Sequence, residues 1–103
     1  MDEVLVRIKR AVLAGRYNFS LKARLEMGAD GLTELDVVEA ISNAVAIYKT
    51  IRSTSSKRSH AKEYLYVIQS TNLEGLVIYT KGKFMREANS EVFYFLISSK
   101  KAW

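Results

Sequence analysis

The feature that most constrains this chain is a change of hydrophobic period near residue 46. Before it, apolar residues recur at helical spacing; after it, β-branched and aromatic residues take over and the spacing tightens toward every second position. Residues three and four apart share a helix face, whereas alternate residues share a strand face, so the two halves cannot form the same kind of element. Helices followed by strands imply an α+β domain, with the helices packed on one face of an antiparallel sheet. At 103 residues the chain suffices for one core, and it is read as a single domain over 1–103.

In EVLVRIKRAVLAG, Val4, Leu5, Ile8, Ala11 and Val12 fall on one helix face, and Gly15 ends the segment. Asp2 and Glu3 open it, while Arg7, Lys9 and Arg10 follow toward its end, which suits the helix dipole. Ser20 is placed to cap a second helix in SLKARLEMG, ending near Gly28. A third starts at TELD, where Thr33 and Asp36 have capping-box spacing, and continues through Leu35, Val38, Ile41 and Val45. Strands are predicted at 46–52, 63–70, 75–81 and 91–99. NLEG at 72–75 reads as a hairpin turn, KGKFMREANS as a longer connection, and STSSKRSHAK at 53–62 as a polar, basic loop. The expected architecture is about three N-terminal helices on an antiparallel sheet of about four strands.

The 16 Lys and Arg against 11 Asp and Glu give a formal charge of +5, which favours an acidic partner such as nucleic acid or an acidic protein. There is no cysteine, which excludes disulfides, thiolate metal sites and a cysteine nucleophile; a single histidine argues against a zinc site. No metal and no cofactor are therefore expected. No apolar run approaches the ~20 residues that span a bilayer, and MDEVLVRIKR lacks the basic-then-apolar order of a signal peptide. A cytoplasmic protein without a membrane partner is expected.

In GLVIYTK, alternation places Val77, Tyr79 and Lys81 on one face. Lys49 interrupts Ile47 and Ile51, and Lys100 continues the face of Val92, Tyr94, Leu96 and Ser98 beyond its strand. Lysines converging from these strands would suit phosphodiester cleavage in RNA. There the 2′-hydroxyl loses a proton, the pentavalent phosphorus gathers negative charge, and the 5′-oxygen is protonated as it leaves. Lysines flanking strands equally serve to blunt sheet edges. The loop KRSH adds Lys57, Arg58 and His60, a phosphate grip beside a group that titrates near neutral pH. Tyr48, Tyr64, Tyr66 and Tyr94 suit base stacking, and at strand spacing suit core packing better. Arg7, Lys9, Arg10 and Arg16 make a basic surface next to an apolar face, fit for RNA, a protein inhibitor or plain solvent. Trp103 is placed to cap the core or to anchor a partner.

The segment VRIKRAVLAGRYNFSLKARLEMGADGLTELDVVEAI, followed in order by IYKT, GLVIYTKGK and LISSKK, resembles the MqsR-type toxins and a related phage-type family of the RelE-like superfamily. The resemblance covers most of the chain. It implies a RelE-like domain acting as the toxin of a toxin–antitoxin pair: a metal-independent endoribonuclease on mRNA, free or ribosome-associated, neutralised by a cognate antitoxin. It implies catalytic roles for Lys49 after Tyr48, for Tyr79 in IYTK and for Lys100 in SSKK, with His60 as a further candidate. Lys57, Arg58, Lys81, Lys83 and Lys101 would then hold the RNA. Two departures stand out. The toxins carry a glutamine before the tyrosine strand that the resemblance matches to no residue here, and Lys22 stands where phage-type relatives show a histidine in Ser-x-His-Ala. The alternative is a non-catalytic module of the same fold that binds RNA or protein.

Overall fold

Three side chains fix where the helices begin. The backbone N–H of Val4 donates to Asp2 Oδ1 at 2.7 Å, that of Ala23 to Ser20 Oγ at 3.0 Å, and that of Asp36 to Thr33 Oγ1 at 3.2 Å. Each satisfies a donor that a helix start leaves without an intrahelical partner. The helices that follow are α1 (Glu3–Leu13), α2 (Leu21–Asp30) and α3 (Glu34–Asn43) in a computed structural model that describes residues 2–53, 63–88 and 91–103. The capping box at Thr33 is complete, because the Asp36 carboxylate accepts from the Thr33 backbone N–H at 2.8 Å. α2 runs past Gly28 to Asp30, since the left-handed residue that ends it is Gly31 at φ 70.

The apolar face of α3 differs from the expected one. Val37, Ala40 and Ile41 are buried, whereas Leu35 is exposed in the first turn. Ala44 leaves the helix with ψ 137, so Val45 falls outside the helix and into solvent.

The strands are β1 (Tyr17–Phe19), β2 (Lys49–Ser53), β3 (Glu63–Thr71), β4 (Val77–Arg86) and β5 (Val92–Lys101), in the spatial order β1-β5-β4-β3-β2. The sheet is therefore five-stranded and mixed rather than four-stranded and antiparallel: β1 pairs parallel to β5, and the other pairs are antiparallel. β1 escapes sequence reading because three residues are too few to display a period. β4 extends through residues 81–86, read from sequence as a connection, because Gly82 and its flanking lysines mask the alternation. Gly82 has a packing reason. A Cβ built there would lie 2.5 Å from Tyr94 Cζ, so only glycine lets the buried Tyr94 ring cross the neighbouring strand.

One face of the sheet, carrying Ile68, Ile78, Tyr94 and Leu96, joins Leu5, Ile8 and Val12 of α1 and Val37, Ala40 and Ile41 of α3 in the core. Tyr66, Phe84 and Tyr94 continue it as an edge-to-face series, with ring centroids 6.0 and 5.5 Å apart.

A β-bulge decides what the other face carries. Leu96 pairs with Gly82 but Ser98 pairs with Lys81, so Ile97 is an extra residue without a cross-strand partner. Lys100 therefore does not continue the face of Tyr94 and Leu96, as simple alternation implies. The inserted residue reverses the parity, and Ser98 and Lys100 share the face of Lys81 and Tyr79. Ser20 clamps this bulge: its backbone N–H donates to the Leu96 carbonyl at 2.9 Å and its hydroxyl to the Ile97 carbonyl at 2.8 Å. Beyond β1, α2 follows β5. The N–H groups of Ser99 and Lys101 donate to the carboxylates of Glu26 and Asp30 at 3.2 and 2.8 Å, where a further strand would otherwise bond. Among the described residues, no helix is long and apolar enough to cross a membrane.

Candidate nucleic-acid interface

The register sets two rows across the face opposite the core. One runs Lys49, Val67, Lys81, Ser98 and the next Gln69, Tyr79, Lys100. Cross-strand partners project to the same side, so the pairing itself brings a tyrosine, an amide and three ammonium groups onto one surface. Val67 is buried between the two lysines that flank it.

Lys100 is the most closely held of these groups. Its Nζ lies 5.4 Å from the centroid of the Tyr79 ring and 3.9 Å from Glu26 Oε2. The other oxygen of Glu26 accepts from Ser98 Oγ at 2.7 Å and from the Ser99 N–H at 3.2 Å. The two serines before the terminal lysines thus have distinct tasks. Ser98 fastens the carboxylate of α2, and Ser99 packs beside Thr80 in the core, its hydroxyl buried.

Tyr79, Lys81 and Lys100 are immediate neighbours, but Lys49 is not. Three strand spacings separate β2 from β5, which puts Lys49 about 14 Å from the Lys100 strand. The lysines form a row rather than a point, with Lys81 between the ends. Lys83 shares the face, and its Nζ is 2.7 Å from Glu63 Oε1, so its charge is already matched. Lys101 pairs with Ile78, a core residue, and so stands on the side opposite Lys100. Lys57, Arg58 and His60 lie outside the described residues.

The tyrosines divide as packing dictates. Tyr94 and Tyr66 belong to the aromatic series of the core side, and burial pushes both phenols above their ordinary pKa. Tyr48 is exposed, as is Trp103, which therefore does not cap the core. Among the described residues there is no group of three or more His, Cys, Asp or Glu that could hold a metal ion.

Sequence reading missed Glu26 and Gln69. Glu26 is on α2, and nothing in the chain order links it to SSKK; only the docking of α2 along β5 does. Gln69 was hidden by the turn. A four-residue turn at 72–75 pairs Tyr79 with Ile68, whereas the loop closes between Thr71 and Val77 and pairs Tyr79 with Gln69. Asn72 sets that extra residue: its Oδ1 accepts from the N–H groups of Glu74 and Leu76 at 3.1 and 2.9 Å, and its Nδ2 donates to Asp36 at 3.2 Å.

A row of ammonium groups across a sheet, with a phenol and an amide at one end, can bind successive phosphates and donate hydrogen bonds to one of them. Comparison of the chain with protein-family models, with curated proteins and with solved structures finds no match.

Proposed function

We propose that the protein is a RelE-like, MqsR-type endoribonuclease toxin that cleaves mRNA without a metal ion and has a cognate antitoxin as its partner. The observation that carries this reading is the direct pairing of Tyr79 with both Lys100 and Gln69 on the face that also bears Lys81 and Lys49. Gln69, on the strand before that of Tyr79, supports the reading as a candidate for the glutamine that the toxins carry before the tyrosine strand. In this reading the 2′-oxygen attacks phosphorus and gives up its proton, the bond to the 5′-oxygen breaks, and that oxygen takes a proton. The products are a 2′,3′-cyclic phosphate and a free 5′-hydroxyl. Lys100 and Lys81 offset the charge that gathers on the phosphorane, Tyr79 and Gln69 donate to its oxygens, and Lys49 holds an adjoining phosphate.

The test is incubation of a defined mRNA with the purified protein and with Lys100→Ala, both in the presence of a chelator. Cleavage by the unaltered chain alone, leaving cyclic phosphate ends, supports the reading. Equal cleavage by both proteins overturns the site.

A second reading is a non-catalytic module that binds RNA through the same face. Glu26 favours it, because the ammonium of Lys100 already has a carboxylate at 3.9 Å. RNA that is retained in a salt-dependent manner but stays intact, with or without ribosomes, would select this reading.

A further inference from the structure

A second basic site lies on the core side of the sheet and at the other end of β5. Arg7, Arg10 and Arg16 surround a cleft of about 150 Å³ whose remaining lining is Ala11, Phe84 and Val92. Val92 is eight residues before Lys100, about 26 Å along the strand, so the cleft is separate from the lysine row.

The guanidinium groups are differently placed. Arg7 lies over the Phe84 ring, 4.4 Å from its centroid, which orients the group and leaves its N–H edge for a ligand. Arg10 follows one helical turn later on α1, and among the described residues no ion pair engages either Arg7 or Arg10. Arg16 closes the end: its Nε donates to the Val92 carbonyl at 3.3 Å and lies 3.6 Å from Glu91 Oε2.

We propose that this cleft binds an acidic segment of a partner protein, one that presents a carboxylate next to an apolar side chain. Planar guanidinium forks match carboxylates, and Ala11, Phe84 and Val92 offer the apolar floor that a bare anion would not use. The surroundings disfavour a nucleic-acid strand. The adjoining cleft, which shares Arg16, is lined by Glu87 and Glu91, and a strand charged at every nucleotide would run into those carboxylates. A protein segment has to present negative charge only at the arginines. The site is independent of the ribonuclease reading and stands or falls without it.

The test is a nuclear magnetic resonance titration of the isotope-labelled full chain with N-acetyl-Glu-Leu-Phe-Glu-amide. Its glutamine counterpart, inorganic phosphate and a uridine tetranucleotide serve as comparison probes. The glutamate peptide is expected to shift the side-chain N–H signals of Arg7 and Arg10 and the amides of Phe84 and Val92. The glutamine peptide should bind at least about fivefold more weakly, since it removes the charge-assisted bonds. Arg10→Glu, and Arg10→Gln as a milder change at an exposed position, should weaken the glutamate peptide about tenfold and fivefold with the fold unchanged. Absent or unselective shifts overturn the proposal, as do shifts indifferent to both variants. So does binding of phosphate alone, or of the tetranucleotide, as tight as that of the glutamate peptide at the same signals.

Discussion

Lys100 and Tyr79 face one another across β4 and β5 in direct register, with the ammonium 5.4 Å from the ring centroid. At an exposed site a cation over a phenol contributes about 0.5–1 kcal/mol, too little to explain the pair as a device for stability. Lys100→Ala and Tyr79→Phe are expected to move the melting temperature by no more than about 4 °C. On the proposed function, Lys100→Ala should lower cleavage about 100-fold or more. Thermal melts beside single-turnover assays check both, and a drop in stability as large as the loss of activity would mark the pair as structural.

Glu26 places negative charge 3.9 Å from the Lys100 ammonium, on the side where RNA is proposed to bind. Glu26→Gln keeps the side-chain shape and the acceptor for Ser98 and Ser99 while removing that charge. RNA affinity should rise about two- to fivefold, the size of one screened charge pair at this distance. Filter binding at two salt concentrations tests the sign; weaker binding would mean that Glu26 chiefly orients Lys100.

Deleting Ile97 would remove the bulge and restore simple alternation along β5. Leu96 would then be followed directly by Ser98, so Ser98 and Lys100 keep the lysine face and Ser99 the core side, and what is lost is the Ile97 carbonyl that the Ser20 hydroxyl binds. The deletion is expected to leave the domain folded with Lys100 on the lysine face, at a cost of about 1 kcal/mol in urea unfolding for the lost Ser20 bond, and to preserve RNA binding. Loss of RNA binding with an unchanged circular dichroism spectrum would mean that the bulge itself aims Lys100. Gly82→Ala tests the same region from the opposite strand. Overpacking against Tyr94 should cost about 1–3 kcal/mol in urea unfolding.

Ser20 joins three bonds in one residue: it accepts from the Ala23 N–H and donates from its hydroxyl and its backbone to two carbonyls of β5. Ser20→Ala should cost about 1–2 kcal/mol, more than Asp2→Ala, whose cap touches α1 alone. Equal losses for the two would show that the bulge carbonyl needs no fastening.

Asp36 has a carboxyl held below its ordinary pKa, first by the Thr33 backbone N–H and also by the Thr33 hydroxyl and Asn72. A folded-state value below the unfolded one means that the unfolded chain binds the proton more readily. The stabilisation is therefore complete above the unfolded value of about 4 and fades as the pH falls through the folded value. Urea unfolding of the parent and of Asp36→Asn should differ by about 1 kcal/mol at pH 7 and converge toward pH 2. A gap that persists in acid would assign the effect to shape rather than charge.

What could be read in the chain beforehand was local. Asp2, Ser20, Thr33 and Asp36 declare helix starts because capping depends on neighbours within a few residues. The alternation of Val77, Tyr79 and Lys81 was equally legible, and so was their shared face. The α+β class followed from the change of period. What stayed hidden depends on partners distant in the chain or on single residues that shift a count. β1 becomes a strand only because β5 is there to pair with it. Ile97 reverses a parity that the letters VFYFLISSK do not mark, although the glycine opposite, Gly82, is the usual sign of such a site. Gln69 moved into place because Asn72 lengthens a turn by one residue.

The course of α2 along β5 has one more consequence. That margin of the sheet ends in a three-residue strand followed by a helix whose carboxylates occupy the N–H groups of Ser99 and Lys101. Among the described residues, main-chain addition of a second copy to this part of β5 is blocked and β1 offers three residues at most, so β2, at the far margin, is the longer edge. Two molecules joined through β2 would present only three-residue β1 margins outward, which favours a closed pair over propagation into a fibre.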